Sequence, residues 1–344
     1  MCLFSTQINI YFVSKTLSIM TGILVGLIIA VSFIVLVQLL RVNELISQVK
    51  NEDPNLVNDQ DNQTQGVLAF SIMGVLFLAS VLWQFKYWGI HILPPASSLH
   101  GATIDTLMKV TCGLILFVFF ITQPILAWFT YKYRGNSKRT AYFFAHNNKL
   151  ELAWTIIPSL VLTPLIIYGL NVWNNITNVD TADSKVIELY AKQFNWTARY
   201  AGDDNTLGDA NYRLVKGLNE LGVNMEDENA ADDIITREVH LVVDQPVLLK
   251  MRSQDVIHSA FLPHFRVQMN CVPGMSTQFG FTPTQTTAEM KEQEGEDFDF
   301  VLLCNKICGA AHYNMKMKFI VESQDDFNAW MASQKTLKNT LTLK

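Results

Sequence analysis

The hydrophobic positions divide the chain into two halves with different patterns. The first half contains four uncharged apolar runs, each of about the length that crosses the hydrocarbon layer of a bilayer. They cover residues 19–40, 66–84, 110–129 and 152–172. From Lys185 onward, apolar and polar residues alternate in short stretches separated by Gly, Pro and Asp, which is typical of β-strands. The pattern predicts four transmembrane helices followed by a water-soluble all-β domain.

The first run has a second interpretation as a cleaved signal peptide, because Lys15 precedes it. The run is longer than the apolar stretch of about 7 to 15 residues that signal peptides use, and it lacks a small-x-small cleavage site. We therefore expect a membrane helix here. A translation start at Met20 is also compatible with the sequence.

The charged loops predict how the helices are oriented. The loop between the third and fourth runs is rich in basic residues, namely Lys132, Arg134, Lys138, Arg139 and Lys149. Basic loops are retained on the cytoplasmic side of a membrane. Four crossings then place the C-terminal β-domain on the outer side.

Within the second half, five segments alternate most clearly and predict a sandwich or barrel of strands. They are residues 186–196, 238–243, 247–251, 298–303 and 315–321. Between the first two segments, residues 202–233 contain nine acidic residues and several glycines, which predicts a solvated insertion. Residues 324–334 have the pattern of a short terminal helix.

These shifts in composition predict five parts of the chain. In order, they are an extra N-terminal helix with an acidic loop, a second helix with an outer loop, a membrane hairpin, the β-domain with its acidic insertion, and a C-terminal tail. The corresponding ranges are 1–65, 66–109, 110–176, 177–323 and 324–344.

Composition and charge narrow the functional classes. Charged residues make up 17% of the chain and hydrophobic residues 49%, which argues against a disordered or collagen-like protein. The formal net charge of −5 gives no general attraction to nucleic acid. Residues 185–344 hold 22 of the 31 acidic side chains against 16 of the 26 basic ones, so the negative charge lies in the β-domain.

The most informative chemistry lies between two predicted strands. Two thiols, an imidazole and a thioether occur within twelve residues, as Cys304, Cys308, His312 and Met315. Sulfur and imidazole ligands suit copper or zinc, and a thioether favours copper. His258, which follows Asp255 at the end of a predicted strand, is the candidate for a further ligand from another loop.

Each of these residues also has a structural interpretation. Cys304 and Cys308 are able to form a disulfide on the oxidising outer side of a membrane. His312 is compatible with a surface position, and Met315 with the core. A purely structural explanation must account for four potential ligands at spacings of four, four and three residues, so we predict a metal site.

The motif resembles the binuclear CuA centre of cytochrome c oxidase subunit II. The match includes Ile257-His258-Ser259, Val272-Pro273-Gly274 and the whole of Cys304 to Met315. In the membrane half, Glu151-Leu-Ala-Trp154-Thr155-Ile-Ile-Pro158 resembles the family's Glu-x-x-Trp-Thr-Ile-x-Pro. The resemblance covers residues 110–323 and implies a membrane α-helical anchor with a cupredoxin-like Greek-key sandwich or barrel.

The resemblance also implies a ligand set for two copper ions. Cys304 and Cys308 would bridge the ions, and each ion would bind one histidine. One side would be completed by Met315 and the other by a backbone carbonyl. The implied ligands are His258, Cys304, Lys306, Cys308, His312 and Met315.

The implied function is electron transfer in a respiratory chain. The chain would accept electrons from cytochrome c and pass them to haem in subunit I, where oxygen is reduced and protons are pumped. The implied partners are subunit I, other oxidase subunits and the membrane, with no nucleic acid. Lack of a Cys-x-x-Cys-His motif means that no c-type haem is attached to this chain. The expected location is the bacterial inner membrane, with the β-domain in the periplasm.

Further roles follow from the same resemblance. Glu151 would mark the entrance of a proton pathway into subunit I. Acidic residues would dock a basic cytochrome c, with Asp255 and the 202–233 insertion as candidates.

Three positions depart from the family pattern. Lys306 replaces a Glu that contributes to a magnesium site at the subunit I interface, so that magnesium site is not assigned here. Phe194 occupies the position of the family's electron-entry Trp, which makes Trp196 or another route the candidate for electron entry. Met275 stands where a basic residue is usual, so no interfacial ion pair is assigned to it.

Three alternative functions fit parts of the sequence. A quinol-oxidase-type subunit II would use the same fold as a copper-free structural module, but the intact sulfur and imidazole motif argues against it. A nitrous-oxide reductase domain would be soluble and would carry a large propeller. A zinc- or disulfide-stabilised envelope protein would have no redox role, and metal analysis separates it from the others.

Overall fold

The computed structural model describes residues 24, 26–42, 44–46, 48–49, 58–89 and 93–341. Within them, four helices are long and apolar enough to cross a membrane, as the sequence predicts. They are α1 (Gly26–Ile46), α2 (Asp59–Trp88), α3 (Leu99–Lys132) and α4 (Asn148–Thr177). Lys15, Met20, the start of the 19–40 run, part of the acidic loop at 50–57 and residues 342–344 lie outside the described residues.

The helices extend beyond the apolar runs that predict them. α3 begins eleven residues before its run, and Asp105 near its start forms an ion pair at 2.7 Å with Arg266 of the β-domain. α4 begins after Asn147, whose side chain accepts a hydrogen bond of 3.1 Å from the N–H of Leu150. A side-chain cap of this kind satisfies one of the free N–H groups of the first helical turn.

The described residues form two compact units. One contains residues up to Leu78 together with Gln123–Phe143, and the other contains Ala79–Thr122 and the chain from Phe144 onward. In the first unit, Ala127 of α3 is fully buried, and a Cβ placed on Gly74 of α2 would lie 3.1 Å from its Cβ. The small residue therefore allows the two helices to approach closely.

The β-domain of the second unit contains ten described strands in two five-stranded sheets. The first sheet has the order β3-β2-β1-β5-β8 and the second the order β4-β10-β9-β6-β7. The strands are β1 (Lys185–Lys192), β2 (Asn195–Tyr200), β3 (Ile234–Thr236), β4 (Val239–Val242), β5 (Val247–Ser253), β6 (His258–Leu262), β7 (Val267–Cys271), β8 (Thr277–Phe281), β9 (Phe300–Cys304) and β10 (Lys316–Glu322).

The pairing within the sheets is mixed. β1 runs parallel to β5 and β4 runs parallel to β10, while the other paired strands are antiparallel. Three helices complete the domain: α5 (Thr287–Glu294), α6 (Gln324–Ser333) and α7 (Leu337–Leu341). The arrangement is the predicted cupredoxin-like sandwich, and α6 corresponds to the predicted terminal helix.

The core of the β-domain is filled by side chains from both sheets. The largest fully buried apolar side chains include Ile187, Leu189, Leu249, Phe300 and Phe319. Truncating one of these side chains removes about 2–5 kcal/mol of stability in typical cores. This rigid core fixes the ends of the strands from which the metal-binding loops emerge.

Three features differ from the sequence-based expectations. The predicted strand segment 186–196 is divided by a turn at residues 193–194 into β1 and the start of β2. His258 is the first residue of β6, not the end of a strand, because the preceding segment turns out of β5. The 202–233 insertion lies between β2 and β3, but it is not simply solvated. Leu221, Val223 and Ala230 are buried in a small apolar cluster, and Asp233 is fully buried.

Candidate metal centre

The loop between β9 and β10 and the first residue of β6 bring the predicted ligands together at one end of the second sheet. Cys304 is the last residue of β9 and Met315 immediately precedes β10. The N–H of Cys304 donates to the carbonyl of Met315 at 3.1 Å and closes the base of the loop. His258 enters from β6, which pairs with β9 through Ala260 and Cys304.

The two thiols of the loop are close but not bonded to each other. The Sγ atoms of Cys304 and Cys308 are 3.8 Å apart, whereas a disulfide requires about 2.05 Å. Nδ1 of His258 lies 3.7 Å from Sγ of Cys304, and Nδ1 of His312 lies 3.6 Å from Sγ of Cys308. The two thiols thus occupy the middle of the cluster, with one imidazole beside each.

Two further donors complete the cluster. Sδ of Met315 lies 3.9 Å from Sγ of Cys308, and the backbone carbonyl oxygen of Lys306 lies 3.3 Å from Sγ of Cys304. The side chain of Lys306 is exposed, so its carbonyl faces the cluster while its ammonium group faces solvent. The structure therefore brings all six predicted ligand residues together.

The spacing of the donors fits metal coordination. Two sulfurs bound at about 2.3 Å to one tetrahedral ion are separated by about 3.8 Å, and a sulfur and an imidazole nitrogen by about 3.5 Å. The separations of Cys304, Cys308 and both histidines match these values closely. A set of two thiolates, two imidazoles and a thioether is soft, which suits copper.

His258 is held in one orientation by a carboxylate. The imidazole is fully buried, and its Nε2 lies 2.8 Å from Oδ1 of Asp255. Nδ1 is consequently left to face Cys304, as in many metal sites where a carboxylate holds the outer nitrogen of a ligand histidine. Asp255, a predicted docking candidate, is therefore also the hydrogen-bond partner of the candidate ligand His258.

The pKa of Asp255 reflects these contacts. Partial burial by itself raises the pKa, but hydrogen bonds from the Gln193 N–H, His258 and the Val256 N–H outweigh it and leave the pKa below its ordinary value. The carboxylate is therefore charged at neutral pH and able to accept from the imidazole.

Burial raises the pKa of the Cys308 thiol to about 11, with a further contribution from Cys304. The metal-free thiol is consequently protonated near neutral pH. Binding of a metal ion by thiolates releases these protons.

The two electron-entry candidates, Trp196 and Phe194, differ in how deeply they are buried. Trp196 is only 2% exposed, its ring centroid lies 6.2 Å from that of His258, and among the described residues its indole N–H has no partner. Phe194 is half-buried, and its ring lies against the ligand loop at Gly309. Of the two aromatic residues, Phe194 is therefore the one that reaches the surface.

Gln193 has no predicted role, but it contacts both segments that carry candidate ligands, the Asp255–His258 segment and the Cys304–Met315 loop. The backbone N–H of Gln193 donates to Oδ2 of Asp255 at 2.7 Å, and its side-chain amide donates to the carbonyl oxygen of Cys308. No spacing signal in the sequence identifies such contacts, because Gln193 is distant from both partners along the chain.

Among the described residues, two other cysteines lie outside the donor set. Cys271 is fully buried on β7 opposite His258, and burial raises the pKa of its thiol to about 12. The group of metal-binding atoms found within 4.8 Å of one another in the described residues contains His258, Cys304 and Cys308, but not Cys271. Cys112 lies on membrane helix α3.

Glu151 lies on a separate element from the metal centre. It occupies the first turn of α4, where its carboxylate accepts a hydrogen bond of 3.3 Å from the N–H of Asn147. This contact is typical of an acidic residue at a helix start. Its assignment to a proton pathway stays a prediction.

Comparison with known proteins identifies the family. Residues 86–172 match the cytochrome c oxidase subunit II transmembrane domain, and residues 185–324 match the cytochrome c oxidase subunit II periplasmic domain. The chain is 32% identical over 235 residues to the "Alternative cytochrome c oxidase subunit 2" of Bradyrhizobium diazoefficiens, covering 68% of this chain and 80% of that protein.

Similarity extends to further proteins. The chain is 25% identical over 250 residues to cytochrome c oxidase subunit 2 of Cereibacter sphaeroides, covering 69% of this chain and 76% of the relative. The crystal structure of the periplasmic domain of subunit II of cytochrome oxidase (CoxB) of Bradyrhizobium japonicum aligns with 44% of this chain and 93% of that domain, at 21% identity and a TM-score of 0.31.

The two family matches together cover well over half of the chain. The protein therefore belongs to the cytochrome c oxidase subunit II family, whose members are membrane-anchored parts of an oxidoreductase complex and carry a periplasmic β-domain.

Proposed function

We propose that this chain is the electron-transfer subunit of a haem-copper oxidase and holds a binuclear CuA centre. It accepts electrons from cytochrome c and delivers them to haem in subunit I, where oxygen reduction is coupled to proton pumping. The observation that carries the proposal is the cluster of two free thiols, two imidazoles and a thioether at one end of the second sheet.

The residues of the chain have distinct tasks in this function. A pair of bound copper ions would supply a one-electron carrier. Cys304 and Cys308 would hold the copper through their sulfurs, and burial of both residues limits the access of water. Asp255 holds the ring of His258 with Nδ1 facing the Cys304 sulfur, so that this nitrogen would be positioned to hold a copper ion.

The surface beside the ligand loop supports association with other oxidase subunits. Ile307 is 86% exposed and Tyr313 is 88% exposed, and both lie within one residue of a ligand. Large apolar side chains with such exposure are typical of surfaces that another protein covers. We infer that a neighbouring subunit of the oxidase packs here, next to the ligands that deliver the electron.

The first test is the metal content of the full-length chain. Purified in detergent after expression with copper, it is expected to hold about two copper ions per chain, because six donor residues converge at spacings that fit copper. The electron paramagnetic resonance spectrum is expected to show hyperfine splitting from one electron shared by two copper nuclei.

Other results of this measurement would reject the binuclear centre. A signal from a single copper nucleus would indicate a mononuclear site. Zinc in place of copper would indicate a structural site, and a metal-free chain with full assembly competence would support the copper-free, quinol-oxidase-type module.

The proposed donor gives a second prediction. Reduction of the copper-loaded chain by a basic c-type cytochrome is expected to slow about tenfold or more between about 10 and 150 mM ionic strength, because salt screens attraction to the acidic β-domain. Stopped-flow measurement of the second-order rate constant tests this expectation. An uncharged small reductant serves as the control, and a cytochrome rate that does not change with salt contradicts electrostatic docking.

A further inference from the structure

We propose that Gln193 is a positioning residue that sets the separation between the two ligand-bearing segments of the metal centre. The inference rests on the proposed copper centre, because only there does the separation matter for function. Gln193 contacts no ligand donor atom among the described residues. It acts through one backbone and one side-chain hydrogen bond, each directed to a different segment.

The first bond controls the histidine side of the centre. The backbone N–H of Gln193 donates to Oδ2 of Asp255 at 2.7 Å, while Oδ1 of the same carboxylate lies 2.8 Å from Nε2 of His258. One carboxylate thus joins the two residues. The N–H of Val256 also donates to Oδ1 at 2.7 Å, so Gln193 and Val256 together position the carboxylate that holds the His258 ring.

The second bond controls the loop that carries the other ligands. The side-chain amide of Gln193 donates to the carbonyl oxygen of Cys308, at the centre of the loop. Gly309 makes this approach possible, because a Cβ at this position would lie 2.9 Å from Nε2 of Gln193 and 2.9 Å from the Phe194 ring. Its φ of +139° is also a conformation that favours glycine.

The bond to Cys308 connects the two sheets of the sandwich, whereas Asp255 lies between β5, which pairs with β1 in the first sheet, and β6. Gln193 follows β1 in the first sheet, whereas His258 begins β6 and Cys304 ends β9 in the second. Within the second sheet, the ligand segments are already joined by the N–H of Asn305, which donates to the carbonyl of Ser259 at 3.0 Å. Gln193 adds a link from outside that sheet, near the tip of the loop, where β-pairing no longer constrains the backbone.

The decisive variants are Gln193→Ala and Gln193→Glu in the full-length chain. Alanine removes the amide but keeps the backbone bond to Asp255. Glutamate has nearly the same size as glutamine, but its carboxylate cannot donate to the Cys308 carbonyl. This variant therefore tests loss of the hydrogen bond without loss of side-chain packing. Gln268→Ala, on an exposed position of β7, is the matched control.

Hydrogen exchange of the metal-free protein tests the positioning role without copper. The His312 N–H donates to the Gly309 carbonyl at 3.2 Å inside the loop, and its exchange is expected to be about tenfold faster in both Gln193 variants. Exchange of the core strands β1 and β5 is expected to be unchanged, which shows that the domain is folded. Unchanged exchange at His312 in both variants would overturn the proposal.

Copper release to a chelator provides the second measurement. Loss of a residue that supports metal ligands typically costs 10–100-fold in metal affinity, so both variants are expected to release copper about 10–100 times faster than wild type. Their visible absorption bands are expected to shift, while Gln268→Ala keeps the wild-type spectrum and release rate. If the wild-type chain binds no copper, the proposed function is wrong. The exchange experiment then tests the positioning role of Gln193 by itself. Copper-loaded variants identical to wild type would reject the positioning role alone.

Discussion

Replacing Cys308 with serine is expected to reduce the copper content of the chain from about two ions to one or none and to abolish the spectrum of an electron shared by two nuclei. The reason is the central position of this thiol. Its Sγ lies 3.8 Å from Sγ of Cys304, 3.6 Å from Nδ1 of His312 and 3.9 Å from Sδ of Met315. A hydroxyl is a much poorer copper ligand than a thiolate, so the variant would lose the sulfur that lies between Cys304, His312 and Met315.

Cys271→Ser is the matched control for this variant. Cys271 is also a buried thiol of the second sheet and pairs directly opposite His258, but it does not belong to the donor cluster. The control is expected to retain the copper content and spectrum of the wild-type chain. Metal analysis and electron paramagnetic resonance on the full-length proteins give the comparison. Retention of the two-nucleus spectrum by Cys308→Ser, or its loss in Cys271→Ser, would show that the ligand assignment is wrong.

The clustering of the candidate ligand residues could be predicted because most of them share one loop. Cys304, Cys308, His312 and Met315 are close along the chain, so any tight turn between two strands brings them together. The contacts that orient them could not be predicted in the same way. Gln193 and Asp255 meet only because the neighbouring parallel strands β1 and β5 end side by side in the first sheet, with Ala191 opposite Ser253, and that pairing joins segments far apart along the chain.

The membrane helices also have parts that the local sequence predicts and parts that depend on tertiary contacts. Their apolar centres follow from the length that the bilayer requires. The start of α3 does not, because its first turns contain His100 and Asp105, which are polar by sequence but contact the β-domain in the fold. Similarly, β6 has the sequence His-Ser-Ala-Phe-Leu, which shows little alternation of polar and apolar residues. This strand was not predicted because it is buried between β9 and β7.

The acidic insertion was the least predictable segment, and its anchoring leads to a second large expected effect. Arg199 of β2 is almost fully buried and forms ion pairs of 2.8 Å with Glu188 of β1 and with Asp233 at the end of the insertion. Its guanidinium also donates to the Gly208 carbonyl at 2.8 Å. One buried cation thus ties the sheet to both ends of the inserted segment.

Arg199→Met is expected to lower the free energy of unfolding by about 3–5 kcal/mol, which is typical of breaking a buried ion pair. Glu188 retains Arg252 as a partner, whereas Asp233 has no other cationic partner among the described residues. Denaturation of the full-length chain in detergent, followed by tryptophan fluorescence, measures the loss. Arg237→Met is the control. Its ion pair with Glu220 is exposed and measures 3.4 Å, and it also donates to the Thr197 hydroxyl at 2.8 Å, so its removal is expected to cost about 1–2 kcal/mol.

The pH dependence of this loss identifies its origin. In the wild-type chain, burial raises the pKa of Asp233 to about 6 although Arg199 opposes the shift. A carboxyl with a raised folded-state pKa stabilises the fold most when it is protonated, and this contribution is lost as the pH rises from about 4 through about 6. Burial also acts to raise the pKa of Glu188, but Arg199 and Arg252 hold it below its ordinary value, so its contribution has the opposite sign and is lost on acidification.

Without Arg199, the pKa values of both carboxyls rise, so the stability difference between Arg199→Met and the wild type is expected to shrink as the pH falls from about 7 to 5. Adding Asp233→Asn removes the unpaired charge and should recover part of the lost stability at pH 7. A loss that is the same at both pH values, or a double variant no more stable than Arg199→Met, would point to packing around the methionine instead. The sign of the pH effect thus distinguishes an uncompensated buried carboxylate from a simple defect in the core of the β-domain.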